Sequence, residues 1–410
     1  MAGNQEPKAM VVEPNGKVYI AGWTTNAEFS TDTDLLTVAY DTTDSEEDEI
    51  WTQVLDVAGR AGEARAIAVH GDHVAVAGWQ NSASNRDMIV IKYDKSDGDT
   101  VWSLGQSNLP YFIYNGYGNG HDQANAVAVG SGGIIYAAGK SYFSSARKED
   151  YCVIKLTSSG ELSTTWGTLT GAIEEPVVGA RHYNGSGNDD DEILALCIDG
   201  NQRPVMTGRS HEGFGRLYDA TTIVYSGNGD RATGWPHSFS SQGLFADRGN
   251  DVSVDNRNNV YVAGVARGAE SHDDYLIVKY SGNGSAPIGV LIVDPAGRKM
   301  KDEAVALAVD PESQRAYVTG TVKWEGLNEC PDPPQGCQEK SEQIGTLHVF
   351  SVIRPGDVDR DGDIDDADLA IVLEQFGQTC SGCNADLNDD GAIDDTDLAI
   401  VLTNFGLCGS

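Results

Sequence analysis

Positive charge is scarce in this chain. Its 410 residues carry 28 Lys and Arg against 62 Asp and Glu, a formal net charge of -34. Nucleic-acid binding through phosphates needs clustered cations, so this balance argues against it. An acidic excess suits solubility, cation binding or a basic partner. Long apolar runs are also missing, and no stretch approaches the roughly 20 residues of a membrane span. The opening MAGNQEPKAM lacks the basic region and apolar core of a secretory leader, which fits a mature form given a start Met or a cytosolic chain. No HExxH and no GxSxG elbow occurs, and the eight His are scattered. Cysteine is limited to seven residues. Cys152 and Cys197 stand in apolar, strand-like runs and read as buried free thiols. Cys330 and Cys337 flank PDPPQG, a natural small disulfide loop, and Cys380, Cys383 and Cys408 bracket an acidic repeat. A disulfide is the expectation for these. Zinc on the CxxC lacks a nearby fourth Cys or His.

Glycine is abundant, at 48 residues, and much of it is periodic. An alternating apolar run closes on Ala-Gly or Thr-Gly six times, in KVYIAGW, HVAVAGW, IIYAAGK, RPVMTGR, NVYVAGV and RAYVTGT. The glycines are Gly22, Gly78, Gly139, Gly208, Gly264 and Gly320. A second run follows each, opening with Asp34, Asp87, Asp150, Asp219 and Asp274 in the first five units and reading IGTLHVF in the sixth. These Asp side chains read as turn formers. Trp51, Trp102, Trp166 and Trp235 mark a further position, and another apolar run precedes five of the six glycine strands. The period of two predicts strands, four to a unit. A four-stranded unit repeated six times predicts a six-bladed β-propeller over residues 1–353, because each unit buries its faces only against its neighbours. The repeat glycine predicts a bulge or a close backbone approach. The sixth unit shows no fourth strand, so the N-terminal residues supply it or the blade stays three-stranded.

These units resemble the bacterial β-propeller repeats called SBBP, most closely in DRGNDVSVDNRNNVYVAG, over about Lys8 to Val352. The resemblance implies a propeller and is nearly silent on activity. An acid recurs ahead of the glycine strand, at Asp122, Asp191, Asp247 and Asp302, with Glu63 one place closer. A ring of such acids is a candidate cation site, and a loop-capping carboxylate is the simpler reading. The Tyr-rich insert LPYFIYNGYGNGHD, Leu109 to Asp122, is the candidate sugar-stacking loop.

A different pattern fills residues 354–410. DVDRDGDIDDADLAIVLEQFG and DLNDDGAIDDTDLAIVLTNFG each fit the calcium loop DxDxDGx5E, with Asp in place of the final Glu. Alternate residues of such a tight loop point oxygens inward, and the last carboxylate closes the cage from the first helical turn. The expected ligands are Asp357, Asp359, Asp361, Asp365 and Asp368, with the Asp363 carbonyl. In the second loop they are Asp386, Asn388, Asp390, Asp394 and Asp397, with the Ala392 carbonyl. Gly362 and Gly391 make the turns, and Ile364 and Ile393 are placed to pack the loops together. Two EF-hand-like loop–helix units without a leading helix resemble the type I dockerin, over Gly356 to about Gly406. That resemblance implies two calcium ions, a small α-helical domain and docking into a cohesin. The Ser-Thr pair common at loop positions ten and eleven is replaced by Asp366-Ala367 and Asp395-Thr396.

The expected protein is secreted or cell-surface and monomeric. It is a non-catalytic binding or scaffolding propeller for a glycan or surface protein, tethered through the C-terminal unit. The alternative is a carbohydrate-active propeller enzyme, a hydrolase or lyase, delivered by the same dock.

Overall fold

The structure is a computed structural model. It describes residues 4–25, 32–43, 48–57, 59–83, 85–102, 109–167, 178–213, 217–241, 246–267, 272–284, 287–293, 301–310, 315–324, 341–350, 356–359, 364–379, 385–387 and 391–405, with 323–324 and 341–350 by backbone alone. Cys330, Cys337, Cys380, Cys383 and Cys408 lie outside these residues. Cys152 and Cys197 are free thiols, as their apolar surroundings predict.

Among the described residues the strands fall into six antiparallel sheets, each meandering in chain order. The first holds β1 (Gln5–Val12), β2 (Lys17–Thr25), β3 (Thr33–Asp41) and β4 (Asp48–Leu55). The second holds β5 (Gly62–His70), β6 (His73–Asn81), β7 (Arg86–Asp94) and β8 (Tyr111–Tyr114). The third holds β9 (Asp122–Val129), β10 (Ile135–Ser144), β11 (Lys148–Leu156) and β12 (Ala180–Tyr183). The fourth holds β13 (Glu192–Ile198), β14 (Pro204–Ser210), β15 (Asp219–Val224) and β16 (His237–Phe239). The fifth holds β17 (Arg248–Val254), β18 (Val260–Arg267), β19 (Asp273–Tyr280) and β20 (Pro287–Val293). The sixth has three strands among the described residues, β21 (Glu303–Val309), β22 (Ala316–Trp324) and β23 (Ser341–Phe350). The N-terminal segment pairs with β2 and completes the first sheet rather than the sixth.

Successive sheets stack. The leading strand of each packs on the first three strands of the sheet before it: β5 on β1, β2 and β3, and so on to β21 on β17, β18 and β19. The hydrophobic clusters lie between sheets. Tyr19, Leu35 and Ile89 bridge the first and second, Met88, Cys152 and Ile154 the second and third, and Val205, Val262 and Leu276 the fourth and fifth. Burial on both faces explains why the middle strands read as nearly continuous apolar runs. Many small antiparallel sheets packed in chain order point to a propeller.

The repeat glycine has a physical reason. In every sheet one residue of the leading strand is looped out opposite it, as between Ala64 and Ala66 facing Gly78, or Ile193 and Ala195 facing Gly208. The bulge pushes a carbonyl into the space of a side chain. A Cβ at Gly139 would sit 2.0 Å from the Gln123 oxygen, and one at Gly264 2.0 Å from that of Arg248. The bulged side chain is then free to reach the next sheet. Asn125 Nδ2 donates to Glu192 Oε1 (3.0 Å) and the Ile193 carbonyl (2.9 Å), and Asn250 Nδ2 to Glu303 Oε1 (3.1 Å) and the Ala304 carbonyl (2.7 Å).

The recurring Trp also works between sheets. The indole N–H of Trp51 donates to the Lys95 carbonyl (3.0 Å), that of Trp102 to Ser158 (3.1 Å) and that of Trp166 to Ser226 (3.2 Å). Each acceptor lies in a hairpin turn of the following sheet. The rings of Trp51, Trp166 and Trp235 pack against Tyr93, Tyr225 and Tyr280 there.

Beyond the sheets, the described residues form two α-helices, α1 (Asp366–Gln375) and α2 (Asp395–Asn404). They share a small core of Val358, Ile364, Val372, Ala385, Ile393 and Val401, each 1% exposed or less. Ile364 and Ile393 thus meet in one core. Among the described residues no helix is long and apolar enough to cross a membrane.

Candidate calcium and docking site

Both acidic repeats turn into their helices in the same way. Asp365 and Asp394 hold extended backbone at the N-cap and accept from the N–H of Ala367 (2.7 Å) and Thr396 (2.8 Å). Three residues on, Asp368 and Asp397 reach back to the N-cap N–H, each at 2.9 Å, so both helices open with a complete capping box. The other oxygen of Asp368 accepts from the N–H groups of Val358 and Asp359, and that of Asp397 from Leu387 (2.6 Å). The last carboxylate of each repeat therefore fixes the helix start and the loop entry together.

This folding gathers charge. Oxygens of Asp357, Asp359 and Asp368 lie within 4.8 Å of one another, although Asp357 and Asp368 are 1% and 0% exposed. Three carboxylates so close repel strongly unless a cation or protons share the site. Donors that are all oxygen, on a tight loop, match a hard divalent ion such as calcium. Carboxylate oxygens carry lone pairs enough to accept the loop N–H groups and still face a metal. In the second repeat Asp386 (6%) and Asp397 (0%) are likewise buried, and Asp386 accepts from Gly391 N–H (2.9 Å). Ala392 bridges to Thr379 beside the core. Asp361, Asp363, Asn388 and Asp390 lie outside the described residues. Each helix also leaves matched apolar side chains in solvent: Leu373 on α1 with its C-cap Phe376, and Leu402 on α2 with its C-cap Phe405, all 42–54% exposed. Arg257, in a turn of the fifth sheet, donates to the Asp359 carbonyl of the first loop.

The acids recurring among the sheets do different work. Asp122, Asp191, Asp247 and Asp302 are at most 1% exposed. Asp191 accepts from the N–H of Gly185, in the loop entering its sheet, and of His211, past the end of β14, both at 2.8 Å. Asp247 repeats this with Ser241 (2.6 Å) and Arg267 (3.1 Å), and Asp122 accepts from Gly116 (2.7 Å). Asp122, Asp191 and Asp247 are loop staples, as the simpler reading holds. Glu63 falls out of register and pairs with Lys8 and Arg65 instead.

The Asp at the start of the third strand in the first five sheets is 9% exposed or less, deeper than a turn former needs to be. Asp87, Asp150 and Asp219 lie close enough to the staples Asp122, Asp191 and Asp247 of the following sheets for their charges to interact. Burial, with the charge of Asp87 among the added causes, pushes Asp122 up to about 6. Burial outweighs Arg147 at 2.6 Å and, helped by Asp191, pushes Asp150 up to about 7. Asp191 rises to about 6 and Asp247 also rises, in both cases mainly through burial. These carboxylate pairs meet only in space, so spacing along the chain does not reveal them.

Comparison with known proteins bears on the two parts unequally. Residues 355–405 match the dockerin type I domain family. Comparison with curated proteins finds no match. Among solved structures, the chain is similar to Sqt1 from Chaetomium thermophilum, at 13% identity over 78% of this chain and 68% of that one, with a TM-score of 0.43. It is similar to regucalcin, a calcium-binding protein from Agrobacterium tumefaciens, at 11% identity over 79% and 84%, with a TM-score of 0.36. It is also similar to the polysaccharide lyase Uly1, at 9% identity over 86% and 78%, with a TM-score of 0.40. The acidic repeats, their capped helices and the family match converge: residues 355–405 are a dockerin type I domain, a class that binds calcium and anchors its carrier to cohesins.

Proposed function

We propose that this protein is an extracellular, non-catalytic binding or scaffolding propeller, carried to its place of action by the dockerin. The observation that carries the reading is the pair of loop–helix units, which have the same caps, the same buried final Asp and the same exposed Leu and Phe. A partner meets two nearly equivalent faces, so Leu373 with Phe376, and Leu402 with Phe405, are the anchors assigned to a cohesin.

Two calcium ions are assigned, one to each loop. Asp357, Asp359, Asp361, Asp365 and Asp368, with the Asp363 carbonyl, hold the first. Asp386, Asn388, Asp390, Asp394 and Asp397, with the Ala392 carbonyl, hold the second. Calcium supplies the positive charge that lets these oxygens converge without mutual repulsion. The domains divide at residues 353 and 354. Six sheets stacked in chain order, each covering a face of the last, support a six-bladed ring of SBBP-like units with a three-stranded final blade.

The non-catalytic reading is supported by the fate of the recurring acids. Asp122, Asp191 and Asp247 are buried and committed to backbone N–H groups, so they do not offer the paired, accessible carboxylates a glycoside hydrolase uses. The reading is tested by passing the intact chain over an immobilised type I cohesin in calcium and then in chelator. Saturable binding lost on chelation is expected. Calcium-independent binding, or cleavage of a glycan by the purified chain, contradicts it.

A further inference from the structure

An acid that recurs on the leading strands is replaced in two sheets. The residue that follows the staple position on each leading strand is acidic in four sheets: Glu6, Glu63, Glu192 and Glu303. In the fifth sheet it is Arg248, which pairs with Glu303 of the sixth at 2.6 Å, and in the third it is Gln123. Gln123 lines a cavity of about 220 Å³ between the second and third sheets, together with Arg86, His121, Lys140 and Glu149. Lys140 is held by Glu149 at 2.7 Å. The Arg86 guanidinium lies flat on the Trp79 ring, 4.0 Å from its centroid, which fixes its planar fork without consuming its charge.

The backbone N–H of Arg86 donates to His121 Nδ1 at 3.1 Å. A backbone N–H only donates, so Nδ1 is the acceptor and the proton of the neutral ring sits on Nε2, available to a ligand. The cavity thus offers a fixed cation, a paired cation and a neutral donor where four of the other sheets put a carboxylate. In a chain of net charge -34 such a spot favours an anion locally. The same chain repels a polyanion at longer range, so the fit is to a ligand bearing one isolated negative charge. The loop that carries His121 also carries Tyr117, which is 71% exposed and stacks on Phe143 with ring centroids 5.5 Å apart. An exposed ring with a second ring behind it is a platform for the flat face of a sugar. The cavity is smaller than the usual ligand pocket of ~300 Å³ or more, a size for one residue rather than a chain.

We infer that the cavity between the second and third sheets binds a single uronic acid residue borne on an otherwise neutral glycan, with Arg86 and Lys140 taking the carboxylate, His121 donating to it and Tyr117 stacking on the adjoining sugar. This deepens the reading of the propeller as a binding module and rests on it.

The test is calorimetric titration of the full chain, in calcium, with a xylo-oligosaccharide carrying one glucuronic acid branch. The unbranched oligosaccharide of equal length, oligogalacturonate and a glutamate-rich peptide serve as comparisons. Saturable binding of the branched sugar is expected, with the unbranched one at least about tenfold weaker. Arg86→Ala should weaken binding about tenfold, and Gln123→Glu, which installs the acid that four other sheets carry, should do the same with unchanged thermal stability. Equal binding of branched and unbranched sugars, preference for the peptide or the polyuronate, or indifference to both substitutions overturns the assignment. Cohesin binding by the same samples separates the failures. No sugar binding with docking intact removes this site alone, whereas sugar cleavage by the wild type keeps the site and removes the non-catalytic reading.

Discussion

At each repeat glycine a backbone carbonyl occupies the space where a side chain would stand. Gly139→Ala must move the Gln123 oxygen from 2.0 Å, which undoes the bulge or shifts the strand. The expected cost is about 1–3 kcal/mol, read as a lower urea midpoint of Trp fluorescence. The same substitution at Gly71, where nothing lies within 4 Å, removes no contact but meets a positive φ of 57°, and should cost less. The buried carboxylates give a second prediction at this scale. Asp122, Asp150 and Asp191 are raised in the folded state, to about 6, 7 and 6, from an ordinary value of 3.8. A raised carboxyl favours folding while protonated, so its contribution is full below pH ~4 and is lost as pH rises through 6 to 7. The sheets should therefore melt at a higher temperature at pH 5 than at pH 8. Asp122→Asn, which mimics the protonated acid, should recover on the order of 2 kcal/mol at pH 8 and flatten that dependence. A wild-type melting temperature independent of pH over this range would refute the pairing.

At the scale of elements, the strands next to the repeat glycines were legible because alternation, the Ala-Gly close and the following Asp recur together. The strand Gln5–Val12 was not identified, because it lacks those markers and its pairing with Lys17–Thr25 is set by the second strand's need for a partner. The role of Trp51 was invisible for a similar reason, since its acceptor, the Lys95 carbonyl, is 44 residues away and in another sheet. Trp51→Phe should keep the packing and lose that bond, at about 1 kcal/mol by chemical denaturation. The helices show the opposite case, in which a motif read for metal binding also carries structure. Asp368 and Asp397 stand where a capping box usually has Glu or Gln. Asp365→Ala and Asp394→Ala should each lower helix stability by about 1 kcal/mol even before calcium binding is considered. Circular dichroism at 222 nm during thermal unfolding reads this.

The whole molecule divides its labour by charge. Residues 357–410 hold fourteen acidic side chains against a single Arg, whereas the seven Trp all lie before residue 325. The C-terminal repeats were legible because a calcium loop is local, with every ligand within twelve residues. The cavity around Arg86 was not legible, because its residues come from two sheets and its meaning rests on a missing acid. The two parts can be followed separately, by Trp fluorescence for the sheets and helical dichroism for the dockerin. The central claim is that calcium builds the dock. Its most direct test is calorimetric titration of chelator-stripped protein with calcium, alongside the dichroism at 222 nm. The account predicts two equivalents per chain, a rise in helical signal that saturates with them, unchanged Trp fluorescence, and loss of both responses in the Asp368→Ala, Asp397→Ala double variant. No stoichiometric uptake, or full uptake by that variant, would contradict it.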